Sequence, residues 1–211
     1  MSWSPAERTT DHMHIIAGRF KGFPIPTALK GTRPTTDRTK EAIFSHLESE
    51  GLLSGARVLD LFAGTGALGF EALSRGAQSL VAVESSGRVA GLLSRSAAGL
   101  RHHPAWDPAM DIRVSRNRAE RFVRPLSSGH EDAGLSEACF DLVFMDPPYD
   151  LSTEDCQSIM TGLTGRGMVD DRGMIVLERS TRTPPPTAPE GWAIDQARSY
   201  GETAVYYLTA R

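Results

Sequence analysis

Phe140–Met145, FDLVFM, is a short, nearly unbroken apolar run. Such a run predicts a parallel strand covered on both faces. It stops at Pro147 and Pro148, which lack the N–H needed to extend a central ladder. Other runs of the same kind predict strands at Val58–Phe62, Leu80–Glu84, Ile112–Val114 and Gly173–Glu178. Between them, apolar positions at helical spacing predict helices over about 36–50, from the glycine-rich AGTGALG turn to Arg75, over 87–100, 119–123 and 153–163. Trp192–Tyr200 and Thr203–Thr209 predict a closing antiparallel pair turned at Gly201-Glu202, after a proline-rich connector at 183–191. His14–Ile25 alternates apolar and polar residues and turns around glycine, which predicts a small hairpin. Strands alternating with helices predict an α/β fold: a mainly parallel, seven-stranded sheet with helices on both faces. Residues 1–12 are expected to form a flexible tail, 13–34 a hairpin appendage and 35–211 the main domain; Pro125–Ala138 is expected to be a mobile surface loop.

Composition narrows the setting. No apolar stretch approaches the ~20 residues needed to cross a bilayer, and the polar start lacks the apolar segment of a signal peptide. Cys139 and Cys156 show neither metal-ligand nor redox spacing, which points to a reduced, cytoplasmic setting. The histidines are scattered; the pairs His12/His14 and His102/His103 read as solvated surface, and no metal site is expected. The net charge is −3, so any nucleic-acid surface must be a local patch. One basic segment stands out at 19–40, where Arg19, Lys21, Lys30, Arg33, Arg38 and Lys40 face a single acid, Asp37. Its mix of cations, glycine and threonine suits phosphate contacts.

Three features fall at the carboxyl ends of predicted strands, where open α/β sheets bind ligands. Gly64-Thr65-Gly66-Ala67-Leu68-Gly69 fits G-x-G-x-x-G, and Glu84 follows the next strand. The glycines allow a tight turn and close backbone approach, and the acid can accept both ribose hydroxyl hydrogens. This combination fits a nicotinamide dinucleotide or S-adenosylmethionine. Asp60, just before the loop, favours the second: a carboxylate suits a sulfonium and an ammonium and would oppose a pyrophosphate. The third feature is Asp146-Pro147-Pro148-Tyr149, a stiff row presenting a carboxylate, a carbonyl and an aromatic ring.

Together, LDLFAGTGALG and VFMDPPY resemble motifs I and IV of the S-adenosylmethionine-dependent amino-methyltransferases. HIIAGRFKG, RPTTDRTKEAIFSHL, IVLERS and SYGETAVYYL resemble segments of the bacterial RsmD family, over nearly all of residues 14–209. That family methylates the exocyclic 2-amino group of a guanine in 16S ribosomal RNA. The resemblance implies a Rossmann-like class I methyltransferase fold and S-adenosylmethionine as methyl donor, with no metal. It implies donor binding by Asp60, Phe62, Ala63, Gly64, Thr65, Gly66, Glu84, Asn117, Ala119 and Asp146. It implies catalysis by Asp146, Pro147, Pro148 and Tyr149. Arg19, Lys21, Arg33 and Arg38 are the expected RNA contacts, and a monomer acting on 16S rRNA within the small subunit is the expected state. One position departs from the family: Arg118 stands where an Asp or Asn precedes the alanine, with Asn117 one place earlier. The residues also leave open methylation of DNA adenine or of a protein glutamine, a nicotinamide-dependent oxidoreductase, and a non-catalytic RNA-binding factor.

Overall fold

In the computed structural model, residues 13–27, 37–124 and 139–211 are described; the expected tail, the expected loop at 125–138 and Arg33 lie outside them. The elements in chain order are β1 (Met13–His14), β2 (Pro24–Ile25), α1 (Asp37–Ser49), β3 (Arg57–Asp60), α2 (Ala67–Ser74), β4 (Ser79–Val83) and α3 (Gly87–Arg101). They continue with β5 (Asp111–Ser115), α4 (Ala119–Phe122), β6 (Phe140–Met145), α5 (Thr153–Gly165), β7 (Val169–Ser180), β8 (Trp192–Tyr200) and β9 (Thr203–Ala210).

Seven strands form one sheet in the order β5-β4-β3-β6-β7-β9-β8, all parallel except β9. The chain runs outward from β3 through β4 to β5, then crosses back to place β6 on the other side of β3. The order therefore reverses between β3 and β6, the place where such sheets form a ligand crevice. Alternation along the strands feeds two cores. Val58, Leu80, Leu142 and Phe144 face α1, α2 and α3, while Leu59, Val81, Val143 and Met145 face α4 and α5. That double burial is why β6 reads as an unbroken apolar run.

Two strands differ from expectation by more than one residue at an end. β3 ends at Asp60 rather than Phe62, because the chain turns there into the glycine loop. β7 begins at Val169 rather than Gly173, with a register slip between the Phe140–Val169 and Leu142–Met174 pairs. Gly173 lies in the slip, where a Cβ would come within 2.9 Å of the Asp141 and Asp170 carbonyl oxygens.

The β1–β2 hairpin is fastened to α2 by side chains. Ile15, Phe20 and Ile25 are buried in the first core. Glu71, fully buried on α2, accepts the Ile16 N–H at 2.8 Å and the Ala17 N–H at 3.0 Å. Ser74 accepts the Phe20 N–H at 2.9 Å and donates to the Ala17 carbonyl. Phe20 and Phe23 also meet the His103 ring edge-on, at 5.3 and 6.3 Å. His103 is therefore half-buried packing and not the solvated surface expected of it.

Candidate active site

The glycine loop leaves β3 directly after Asp60, and each of its constraints has a visible cause. Gly66 adopts φ 96°, and a Cβ there would collide with the Phe70 ring. Gly69 brings α2 close to the sheet: a Cβ would fall 2.8 Å from the Leu80 side chain and 3.3 Å from Asp60 Oδ2. Gly66 caps α2 without a side chain, so the first turn must find its acceptor elsewhere. Asp60 supplies it, taking the Gly69 N–H on Oδ2 at 3.2 Å.

The other oxygen, Asp60 Oδ1, is buried and has no hydrogen-bond partner among the described residues. Burial pushes this carboxyl up to about 7, opposed by the Gly69 amide and assisted by the charges of Asp146 and Glu84. The Phe62 amide eases the charge by proximity, without hydrogen-bond geometry to Oδ1.

Glu84 follows β4 and ties two loops together. Its Oε2 accepts the Gly64 N–H at 3.0 Å and its Oε1 the Ser86 N–H at 2.6 Å. The Ser85 hydroxyl also donates to Oε1, at 3.4 Å; two carboxylate oxygens offer about four acceptor positions, so the group retains one for a ribose hydroxyl, and a second if the long Ser85 bond yields.

Beyond β5, Ala119 is buried and begins α4. Asn117 is half-buried, with Oδ1 accepting the Arg118 N–H at 2.9 Å. Arg118 points away: its side chain is 77% exposed, with Nε 3.5 Å from Glu120. The departure from the family pattern therefore places no guanidinium in the crevice.

On the other side of β3, β6 delivers Asp146 half-buried, Pro147 buried and Pro148 exposed. Tyr149 is 64% exposed, the one exposed large hydrophobic side chain among the described residues. A turn closes behind it through Leu151 N–H to the Pro148 carbonyl at 3.0 Å. A brace that the sequence pattern does not reveal holds this loop: Arg179 of β7, 9% exposed, donates from Nη2 to the Leu151 carbonyl at 3.0 Å. Met145 pairs with Leu177, so Arg179 emerges two residues beyond that pair, alongside the loop.

Of the basic residues, Arg19, Lys21 and Arg38 are exposed. Lys40, counted in the same basic segment, is fully buried, with Nζ 3.7 Å from Glu71 Oε2. It is a core cation and no part of a surface patch. Among the described residues, no group of three or more His, Cys, Asp or Glu could hold a metal ion, and no helix is long and apolar enough to cross a membrane.

A family model described as "Conserved hypothetical protein 95" matches residues 13–209. Ribosomal RNA small subunit methyltransferase D of Escherichia coli is 30% identical over 202 residues, 95% of this chain and 91% of the relative. The chain belongs to the RsmD family. A candidate rRNA methyltransferase of Bacillus subtilis is 31% identical, covering 92% of this chain and 96% of its own. Among solved structures, a candidate methyltransferase from Escherichia coli superposes with a TM-score of 0.76 at 28% identity, covering 95% of this chain and 98% of the other. A magnesium protoporphyrin IX methyltransferase from Synechocystis, solved with S-adenosylmethionine bound, shares the fold at 14% identity and a TM-score of 0.60. The chain thus has the class I S-adenosylmethionine-dependent methyltransferase fold, as the sequence led us to expect.

The residues at the crevice fit that methyl donor. A buried, unpartnered carboxylate oxygen beside two further carboxylates is a costly arrangement alone. A ligand carrying a sulfonium and an ammonium relieves it, whereas a pyrophosphate would aggravate it.

Proposed function

We propose that this chain transfers a methyl group from S-adenosylmethionine to the exocyclic 2-amino group of a guanine in small-subunit ribosomal RNA. The observation that carries the reading is the arrangement of β6's end: a half-buried Asp146, a buried Pro147 and an exposed Tyr149, next to the Asp60 crevice. The names of the relatives supply the rRNA substrate class, and the resemblance of the DPPY and RPTTDR segments supplies the amino group and the base.

When bound, S-adenosylmethionine supplies an activated methyl carbon on its sulfonium. The chain's own residues do the rest by positioning. Glu84 takes the ribose, Asp60 faces the cationic end, the backbone of Phe62–Gly66 lines the donor, and Asn117 and Ala119 border its adenine. Asp146 and the Pro147 carbonyl accept the two N–H hydrogens of the target amine, which turns the nitrogen lone pair toward the methyl carbon. Pro148 keeps the row stiff. Tyr149 stacks on a base drawn out of its helix. Asp146 is an orienting acceptor; the methylated amine loses its proton to water. Arg19, Lys21, Arg33 and Arg38 contact RNA phosphates, in a monomer acting in the cytoplasm on the small subunit or an assembly intermediate.

The test is transfer of labelled methyl to small subunits lacking the modification, beside naked 16S rRNA, with Asp146→Ala as control. Labelled N2-methylguanosine, absent with the variant, is the expected result. Label on another atom, or none despite measurable S-adenosylhomocysteine binding, overturns the proposal.

A further inference from the structure

The densest run of cations in the chain is not the 19–40 segment. Residues 113–124, RVSRNRAERFVR, hold five arginines and one glutamate. Just before them, α3 has Arg88, Arg95 and Arg101 and no acid. Residues 87–124 thus carry eight of the 23 basic residues and three of the 26 acidic ones, leaving the remainder of the chain at −8.

The fold gathers this charge at one rim. β5 is the edge strand, and α3 lies over β4 and β5. On α3, Ala90, Leu93, Ala97 and Leu100 face the core. Arg88 and Arg95, seven residues apart, share one stripe on the opposite, exposed face. Arg116 follows β5 and folds back over the start of α3, so closely that a Cβ on Gly87 would lie 2.7 Å from its guanidinium carbon. Arg88, Arg95 and Arg116 make no ion pair among the described residues, and Arg118, two residues after Arg116, is exposed with Glu120 at 3.5 Å.

Ordinary roles do not account for the group. Charges on an edge strand block unwanted strand pairing, which suffices for Arg113 with its partner Asp111 at 2.7 Å. It does not explain the helix stripe or the arginine beyond the strand end. A surface charged only for solubility intersperses both signs, whereas Arg88, Arg95 and Arg116 have no carboxylate in ion-pair distance among the described residues, and only Arg113 and Arg118 nearby have one. Every cation is arginine, the side chain suited to phosphate.

We propose that this rim, formed by Arg88, Arg95, Arg116 and Arg118, holds the RNA backbone beside the nucleotide being methylated. The proposal rests on the rRNA reading above and deepens it. Position agrees with it: Arg116 follows the carboxyl end of β5, three strand spacings of about 4.8 Å from β6, so roughly 14 Å across the sheet from the Asp146 loop. That is a span that a few nucleotides of RNA cover. The net-acidic remainder directs the phosphates to this face.

The experiment compares wild type with the triple variant Arg88→Gln/Arg95→Gln/Arg116→Gln. Binding to unmethylated 16S rRNA is measured across salt concentrations, together with S-adenosylhomocysteine affinity. Three lost phosphate contacts should reduce the slope of log K against log salt by about 2. The KM for RNA should rise, while S-adenosylhomocysteine binds as before, which shows the fold and donor crevice intact. An unchanged slope, with a wild type that binds and methylates the RNA, overturns the rim alone. A wild type that neither binds nor methylates rRNA overturns the functional reading and the rim with it.

Discussion

Lys40 and Glu71 are both fully buried, with Nζ and Oε2 3.7 Å apart, and this pair sits where the hairpin, α1 and α2 meet. Lys40 also reaches the His14 carbonyl at 3.3 Å, and Arg75 binds Glu71 Oε1 at 2.8 Å while lying over the Phe44 ring. Glu71 thus answers two cations and two hairpin amides at once. Removing it leaves Arg75 with Glu41 and Glu48, at 2.6 and 3.1 Å, but leaves the buried Lys40 with only the exposed Asp37 at 3.8 Å, and breaking a buried pair in this way costs about 3–5 kcal/mol. Glu71→Ala should therefore lower the unfolding free energy by that order. The Ile16 and Ala17 amides should exchange with solvent faster than amides of β3. Unchanged exchange there would show that the hairpin is held by its apolar contacts alone.

Asp60 predicts a pH dependence of stability. Its carboxyl is held at about 7 in the folded chain, against about 3.9 when unfolded. Between these values the folded state keeps a proton that the unfolded chain has released. Stability is full below the lower value and falls by about 1.4 kcal/mol per unit as pH rises toward the upper one. Asp60→Asn removes this dependence and keeps an oxygen for the Gly69 amide. Relative to wild type, the variant should gain about 2–3 kcal/mol between pH 5 and pH 8 by denaturant unfolding. It should also bind S-adenosylmethionine at least tenfold more weakly. A gap that stays constant with pH would refute the assignment.

Arg179 touches the loop and not the reacting atoms, so its effect should be one of position. Arg179→Met removes the bond to the Leu151 carbonyl while keeping the aliphatic stem. Loosening of this kind, by about 1 Å, can cost on the order of 100-fold in rate. The expected signature is a lower kcat for methyl transfer with S-adenosylhomocysteine affinity unchanged. Arg179→Lys should recover part of the rate. A loss confined to thermal stability would make the residue merely structural.

Tyr149 separates stacking from hydroxyl chemistry. Tyr149→Ala should weaken productive RNA binding by about 1–3 kcal/mol, the usual worth of one aromatic–base stack. Tyr149→Phe keeps the ring and should retain nearly all activity in the same methyl-transfer assay. Equal losses in both variants would assign the role to the hydroxyl.

What was legible in the sequence is what neighbouring residues decide. Phe140–Met145 announces its burial by pattern, and the glycine loop by the turn it must make. That Asp60, Glu84 and Asp146 come together was legible because a parallel sheet places all carboxyl ends on one side. What stayed hidden depends on distant partners. Lys40 looks like a surface cation until Glu71 is folded beneath it. Arg179 is one of many arginines until Leu151 offers its carbonyl. His103 looks solvated until Phe20 and Phe23 cover it. The arginine rim is hidden in the sequence for a related reason: its two halves, on α3 and after β5, become one surface only across the sheet edge.

The reversed strand carries a consequence for biosynthesis. β8 joins the sheet only through β9, which is inserted between β7 and β8. As the chain emerges from a ribosome, β8 appears first and has no neighbour to pair with. Until Thr203–Ala210 follows, the β7 edge is bare and the newest strand hangs unpaired, an aggregation-prone interval. Completion of this sheet therefore waits for the arrival of β9, after β8 has already been made.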